Sequence, residues 1–279
     1  MLLNSIEASN ESLNQRNENA NMTLLFEGGN IFKDAEGKPA TVRVAKSDVL
    51  PTVQWLEGIT DLELTDNMLG TTGKKDTSGD LDLAVDVSST TKADLEGKLL
   101  AWVQKNIGGE ANAKEWIRKS GINVHFKTPI KGDDSNGFVQ TDFMFGDPDW
   151  MKFSLQGSGP NSPYKGMHRH ILLSSIAKTK GMKWSANEGL KDRETNELVS
   201  QDPNQIAKVL LGQTATPSTL ESVESIINYI KKLPNYDELV ADAVESFARD
   251  GLELPDNKQV ETYQADHNAW MRKMIDIVK

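Results

Sequence analysis

An α+β fold is predicted by three features of the sequence. Residues 80–87, Asp-Leu-Asp-Leu-Ala-Val-Asp-Val, alternate polar and apolar with the period of a half-buried strand. INVHFKTPI (122–130) and FVQTDFMFG (138–146) are two further strand-like runs, and KGDDSNG between them supplies a turn, which together make a hairpin pattern. Beyond residue 200 the chain changes character, with cap residues such as Asp202-Pro203 opening runs of apolar residues at helical spacing. These features divide the chain into a polar arm at 1–21, an α+β domain at 22–190 and a helical region at 191–279.

Composition narrows the classes of function. With 279 residues the chain has ample length for a core, and 37% hydrophobic with 26% charged residues is the balance of a soluble globular protein. No apolar run approaches membrane-spanning length, and the N-terminus lacks a basic region followed by an apolar stretch; a cytoplasmic setting without a membrane partner is the expectation. The absence of cysteine excludes disulfides, thiolate zinc sites and cysteine nucleophiles. A formal charge of -10 argues against a broad, non-specific grip on nucleic acid, because lysine and arginine dominate phosphate neutralisation. A nucleic-acid partner therefore requires a local basic groove.

In chain order, the arm at 1–21 is rich in Asn, Ser and Glu. TLLFEGG (23–29) and TVRVAKS (41–47) read as short strands around a Gly-Lys-Pro turn at 37–39. Ser47 is placed to cap a helix over 48–58 that buries Val49, Val53, Trp55 and Leu56. After the strand at 80–87, Leu95, Leu99, Trp102 and Val103 predict a helix over 92–106, ended by Gly108-Gly109, and AKEWIRK (113–119) reads as a shorter basic helix. Past the hairpin, a helix is predicted over 166–180, ending at Gly181. Four more follow: one opened by Asp202-Pro203, then 217–233, 236–249 with Asn235 as its cap, and 257–278. Val223, Ile226, Ile227 and Ile230 mark packing surfaces there, with Trp270 and Met271 closing the core.

Period two places Asp80, Asp82, Ala84 and Asp86 on one face of the strand and Leu81, Leu83, Val85 and Val87 on the other. Carboxylates two residues apart repel one another unless water or a cation lies between them. An exposed edge strand with a surface loop before it would account for them by solvation alone. Two additions favour a cation site. Asp142 sits in the middle of FVQTDFMFG, on a face with Phe138, Gln140 and Met144, where an unbound acid is costly. Upstream, Gly-Thr-Thr-Gly (70–73) forms a turn whose N–H groups suit phosphate oxygens, with a Thr71 hydroxyl and the charge of Lys74 or Lys75 beside it. Three oxygen ligands and a phosphate cradle are the parts that metal-assisted phosphoryl transfer needs.

Other candidates are weaker. His168 and His170 are two apart, so on a helix they do not face one metal. His125 reads as a packed or surface histidine, and no serine–histidine arrangement suggests a hydrolase triad. Arg118, Lys119, Lys127, Lys131, Lys165, Lys178, Lys180 and Lys183 are candidates for a groove, or equally for solvated faces.

Gly70-Thr71, followed by Ser78-Gly79-Asp80-Leu81-Asp82, resembles the signature of the DNA polymerase beta superfamily of nucleotidyltransferases, and its Ser-Gly-Asp-x-Asp form is most similar to family X polymerases. The resemblance covers roughly 65–215 with the motifs in order. It implies a palm: a mixed sheet with flanking helices that carries three carboxylates, here Asp80, Asp82 and Asp142, as catalytic residues and ligands of two Mg²⁺ ions, with Mn²⁺ able to substitute. It implies nucleotide binding by Gly70, Thr71, Lys74, Lys75, Ser78 and Gly79. In WMKFSLQGSGPNSPYKGMHRH (150–170) it implies an aromatic strand, a Gly-Ser turn and a helix contacting the incoming sugar and base, through Phe153, Gly157, Ser158, Asn161 and Arg169. GLKDRETNELVSQDPNQIAKVLLG (189–212) resembles the family's thumb, a polar hairpin and then a helix ending Leu-Gly. Thr71 stands where serine is usual, the turn is one residue shorter, and Lys74-Lys75 replace paired arginines, giving point charges instead of planar forks. Residues 1–64 lie outside the resemblance and show no helix-hairpin-helix or lyase-like pattern.

The resemblance implies transfer of a nucleoside monophosphate from an NTP or dNTP to a nucleic-acid 3′-hydroxyl, as in a minimal polymerase or terminal transferase. Two other readings are carried forward: the same chemistry on a protein or small-molecule acceptor, which the negative charge favours, and a palm-fold interaction protein without catalysis.

Overall fold

The computed structural model describes residues 31–108, 113–156, 162–256 and Ala265. The polar arm, the strand at 23–29, the helix from 257 with Trp270 and Met271, and the candidates Gly157, Ser158 and Asn161 lie outside the described residues.

The first half of the chain runs β1 (Val44–Ala45), α1 (Lys46–Thr60), β2 (Thr77–Ser78), β3 (Asp80–Asp86), α2 (Lys92–Asn106), α3 (Ala113–Trp116), β4 (Ile117–Ser120), β5 (Asn123–Pro129) and β6 (Phe138–Gly146). The second runs α4 (Pro148–Ser154), α5 (Gly166–Thr179), β7 (Met182–Ser185), β8 (Gly189–Asp192), β9 (Leu198–Ser200), α6 (Pro203–Leu211), α7 (Val223–Ile230) and α8 (Tyr236–Arg249). The fold is α+β, built on a mixed four-stranded sheet in the order β3-β6-β5-β4. β3 and β6 run parallel, while β6–β5 and β5–β4 are antiparallel. A chain leaving β3 must cross over to make that parallel pair, and α2 with the β4–β5 hairpin fills the crossover. None of the helices among the described residues is long and apolar enough to cross a membrane.

The sheet has two unlike faces. Leu81, Leu83 and Val85 of β3, Val124 and Phe126 of β5, and Val139, Phe143 and Phe145 of β6 pack on Val49, Val53 and Leu56 of α1 and Leu95, Leu99 and Val103 of α2. The opposite face is apolar only at one end, where Ala84 and Met144 join Trp150 and Met151 of α4, Leu172, Leu173 and Ile176 of α5, and the helices α6–α8. The rest of that face carries the acids.

Several elements differ from their sequence expectation. Ser47 is not a cap: α1 starts at Lys46 from an Ala45 N-cap that makes no side-chain bond, and only Val44–Ala45 of 41–47 is strand. β3 ends at Asp86, whose carboxylate accepts from the Ser88 N–H, so Val87 is 61% exposed instead of facing the core. AKEWIRK is helical only to Trp116; Ile117 onward pairs antiparallel with β5, because a free strand edge gains more from a ladder than one further helical turn would give. WMKFS is helix α4 and not an aromatic strand, with Asp147 accepting from the Trp150 N–H as its cap and Pro148 in its first turn. The segment 217–233 splits into a 3₁₀ turn at Pro217–Leu220 and α7, which Ser222 caps. Asn235 holds the N-cap position of α8 without a side-chain bond. A boundary at 190 falls inside β8, the middle strand of a three-stranded antiparallel sheet that β7 completes.

Gly189 shows why the hairpin starts where it does. Its φ is +107°, and a Cβ there would lie 2.5 Å from the Ser200 carbonyl oxygen and under 3 Å from Gln201 and Leu198. Gly189→Ala is expected to destabilise the fold by about 2 kcal/mol or more, read as a lowered midpoint in urea, because both the backbone conformation and the space are denied to a side chain.

Candidate metal centre

β3 is an edge strand, yet its outer edge is laced. Met68 bridges to Leu83, the Leu69 N–H donates to the Asp82 carbonyl, and the Asp82 N–H donates to Thr72 Oγ1 at 3.1 Å. The turn at 69–73 is thereby tied to the acid strand. Gly70 has φ +57° and sits so close that a Cβ there would be 3.8 Å from Asp82 Oδ2. On the other side of β3, the parallel register sets Asp82 opposite Asp142 and Asp80 opposite Gln140. One carboxylate oxygen from each of Asp80, Asp82 and Asp142 lies within 4.8 Å of the other two.

Such crowding has an electrostatic cost. Burial pushes the Asp82 carboxyl well above the usual aspartate range, and the charges of Asp80 and Asp142 push it further. Burial also raises Asp80, with Asp142 adding to it; the Arg43 guanidinium pulls the other way. Three hard oxygen donors held together against repulsion fit a divalent cation, which would replace proton uptake as the way to neutralise them. The donor set suits Mg²⁺ or Mn²⁺ and offers nothing to soft metals.

Thr72, one residue beyond the candidate Thr71, is the buried threonine that holds the turn to β3; Thr71 is exposed. Lys74 donates from Nζ to the Gly70 carbonyl at 2.8 Å, and Lys75 is exposed. Ser78 Oγ accepts from the Gly73 N–H at 3.3 Å, closing the turn, and Gly79 is exposed at its end. Beside Gly79 lies Arg43, a residue the sequence did not single out. β1 pairs with β2, and Arg43 donates from Nε to Thr77 Oγ1 and from Nη2 to the Thr77 carbonyl, both at 3.0 Å. Its Nη1 lies 3.0 Å from where a Gly79 Cβ would stand, so a glycine there gives the guanidinium its place. Only the β1–β2 register reveals this neighbour.

The candidates for sugar and base contact are placed differently. Phe153 is half-buried on α4 and stacks beneath the Arg169 guanidinium, 5.2 Å from ring centroid to Cζ. Arg169 is 1% exposed; it donates from Nε to the Leu220 carbonyl and from Nη1 to the Ser154 carbonyl, and burial lowers its pKa to about 10. It joins α5 to α4 and to the 217–220 turn, and its guanidinium is not presented to a nucleotide. His168 bonds to the Lys165 N–H and to Asp250, and His170 accepts from Trp184 Nε1, with burial taking its pKa down to about 3. Neither histidine belongs to the acid cluster.

His125 is the larger surprise. It lies opposite Asp142 in the β5–β6 register, buried, with Nδ1 2.8 Å from Asp142 Oδ1 and Nε2 2.7 Å from Ser120 Oγ. A serine–histidine–aspartate line therefore exists, contrary to the sequence expectation, and His125 is packed against a functional candidate. Gln140 donates to the same Asp142 oxygen at 2.9 Å, while its own Oε1 accepts from the Ile31 N–H.

Of the basic candidates, Arg118 and Lys127 share the acid face through their registers with His125 and Gln140. Lys127 stands 4.0 Å over the Trp116 ring and Arg118 5.8 Å over Phe32. Lys119, Lys131 and Lys178 are paired with Glu96, Asp48 and Asp242. No protein-family model and no curated protein matches the chain.

Proposed function

We propose that this chain is a metal-dependent nucleotidyltransferase, which moves a nucleoside monophosphate from an NTP or dNTP to an acceptor hydroxyl and releases pyrophosphate. One observation carries the reading: three carboxylates converge on one sheet face, and the strand bearing two of them is hydrogen-bonded to a glycine-rich turn. Asp80, Asp82 and Asp142 would hold two Mg²⁺ ions, or Mn²⁺ in their place. When bound, the ions supply charge neutralisation at the phosphates and a lowered pKa for the attacking hydroxyl. Gly70, Thr71, Ser78 and Gly79 supply the turn that faces the β- and γ-phosphates, with Lys74, Lys75 and Arg43 as its cations. The acceptor oxygen attacks the α-phosphorus in line, the bond to the bridging oxygen breaks, and the acceptor proton is drawn toward Asp142.

By resemblance to family X polymerases the acceptor is a nucleic-acid 3′-hydroxyl. Arg118 and Lys127 lie on the acid face and are the cations nearest in register to that end of the site. The charge of -10 favours a second reading, the same transfer onto a protein or small molecule. Transfer from α-labelled ribo- and deoxyribonucleotides, offered single-stranded DNA, gapped DNA, tRNA and the protein itself, separates the two. Label on nucleic acid supports the first and label on protein supports the second. No label on any acceptor would favour a palm-fold interaction protein.

Arg43 gives a sharper test of the phosphate side. Arg43→Ala is expected to raise the nucleotide KM about tenfold or more, with a smaller change in kcat. A charge-assisted hydrogen bond is worth about 1.5–3 kcal/mol, and each 1.4 kcal/mol is a factor of about ten.

A further inference from the structure

The acid face continues past the three carboxylates into a row of polar side chains that none of the steps above uses. We propose that Ser120, His125 and Gln140 are positioning residues that saturate one oxygen of Asp142, making it a one-oxygen ligand to a single divalent cation; this rests on the cation-site reading above.

A carboxylate oxygen accepts two good hydrogen bonds. Asp142 Oδ1 receives His125 Nδ1 at 2.8 Å and Gln140 Nε2 at 2.9 Å, so both of its positions are taken. What remains for a cation is Oδ2. Asp142 Oδ1 is an acceptor, so the proton belongs on Nδ1, and in that tautomer of the neutral imidazole Nε2 accepts from the Ser120 hydroxyl. The register makes the row rigid: Asp82, Asp142 and His125 stand opposite one another on three adjacent strands, and Ser120 ends the fourth. Gln140 is fixed in turn by the Ile31 N–H at 2.9 Å. Two donors on Asp142 also offset part of the repulsion from Asp80 and Asp82. A ligand whose free oxygen is chosen in advance loses less freedom when the ion arrives, and removal of such supporting partners typically weakens metal binding about 10- to 100-fold.

Ser120, His125 and Asp142 stand in the order of a hydrolase triad, and that alternative is open to direct test. A nucleophilic Ser120 would need Asp142 to serve the imidazole, whereas Asp142 Oδ1 is shared with Gln140 and the residue is one of the acid trio.

The test is equilibrium binding of Mn²⁺ alone to the full chain, followed by paramagnetic resonance without nucleotide. His125→Ala is expected to weaken Mn²⁺ about tenfold or more. His125→Asn, whose amide nitrogen can stand where Nδ1 stood, is expected to stay within about threefold of the natural protein. Should His125→Ala not fold, His125→Gln replaces it, since its amide reaches the Nε2 position and leaves Asp142 unheld; it too should bind weakly. Equal affinity for the asparagine and glutamine variants overturns the proposal, as does unchanged binding in His125→Ala or no binding by the natural protein. Labelling of Ser120 by a fluorophosphonate, with ester hydrolysis lost in Ser120→Ala, overturns it in favour of a hydrolase. His125-dependent Mn²⁺ binding without nucleotidyl transfer removes the function proposed above and leaves the positioning role standing.

Discussion

Asp82→Asn is expected to lower nucleotidyl transfer by at least about 10³-fold, equivalent to about 4 kcal/mol of transition-state stabilisation, while the metal-free protein becomes more stable. The two effects have one cause. Asp82 is pushed well above the ordinary aspartate value by burial first and by Asp80 and Asp142 after it, so its charged form is a burden on the folded chain. The amide removes that burden and with it one of the three proposed ligands. Each 1 kcal/mol of relieved repulsion should raise the melting temperature by about 2–4 °C in a chain of this size. A structural carboxylate would differ in stability, since its loss would lower stability together with activity. Transfer assays and thermal melts on the same preparations check the pair.

The second large effect is a pH-dependent stabilisation by cations. Asp80 and Asp82 both have folded-state pKa values above the ordinary value of 3.8. The folded chain therefore binds their protons more tightly than the unfolded chain does. Stability is complete below that value, falls as pH rises toward the raised folded-state values, and levels off above them. On the proposed cation site, a divalent cation should take over from the protons in the upper range. At one hundred times its dissociation constant, Mn²⁺ should add about 2.7 kcal/mol, which is about 5–11 °C in melting temperature at pH 8. Below about pH 4, where protons occupy the same oxygens, the gain should vanish. A gain of equal size at both ends of the range would place the cation elsewhere on the protein. Melts with and without Mn²⁺ across pH 4–8 decide it.

Much of this was legible in the sequence because the signals were periodic. The alternation in 80–86 fixed which side chains of β3 share a face, and FVQTDFMFG supplied a matching strand with one acid, so the trio could be expected before any coordinates. The helix over 92–106 appeared within its expected bounds, with Thr91 accepting from the Asp94 N–H as its cap. What stayed hidden depends on which strands become neighbours. Arg43 is remote in sequence from Gly79 and meets it only through the β1–β2 ladder. His125 looked isolated because its partner, Asp142, lies across a strand register and not along the chain. Asp147-Pro148 is an N-terminal helix signature, and 150–154 is helical where the family resemblance implied an aromatic strand. Trp116 and Ile117 illustrate the reverse case, where tertiary pairing with β5 overrides a helical local pattern. Arg169 carried a role by resemblance, but an arginine with two bonds to backbone carbonyls in a buried aromatic sandwich serves the packing of α5 on α4.

The central claim is that the three carboxylates bind cations together with a nucleotide triphosphate. The most direct measurement is a crystal structure grown with Mn²⁺ and an α,β-methylene nucleoside triphosphate, which cannot be turned over, recorded at a wavelength where manganese scatters anomalously. The account predicts an anomalous peak with an oxygen from each of Asp80, Asp82 and Asp142 at about 2.2 Å, and triphosphate oxygens against the turn at 70–79 beside Arg43. Manganese bound away from these three residues, or a triphosphate bound away from that turn, would contradict it.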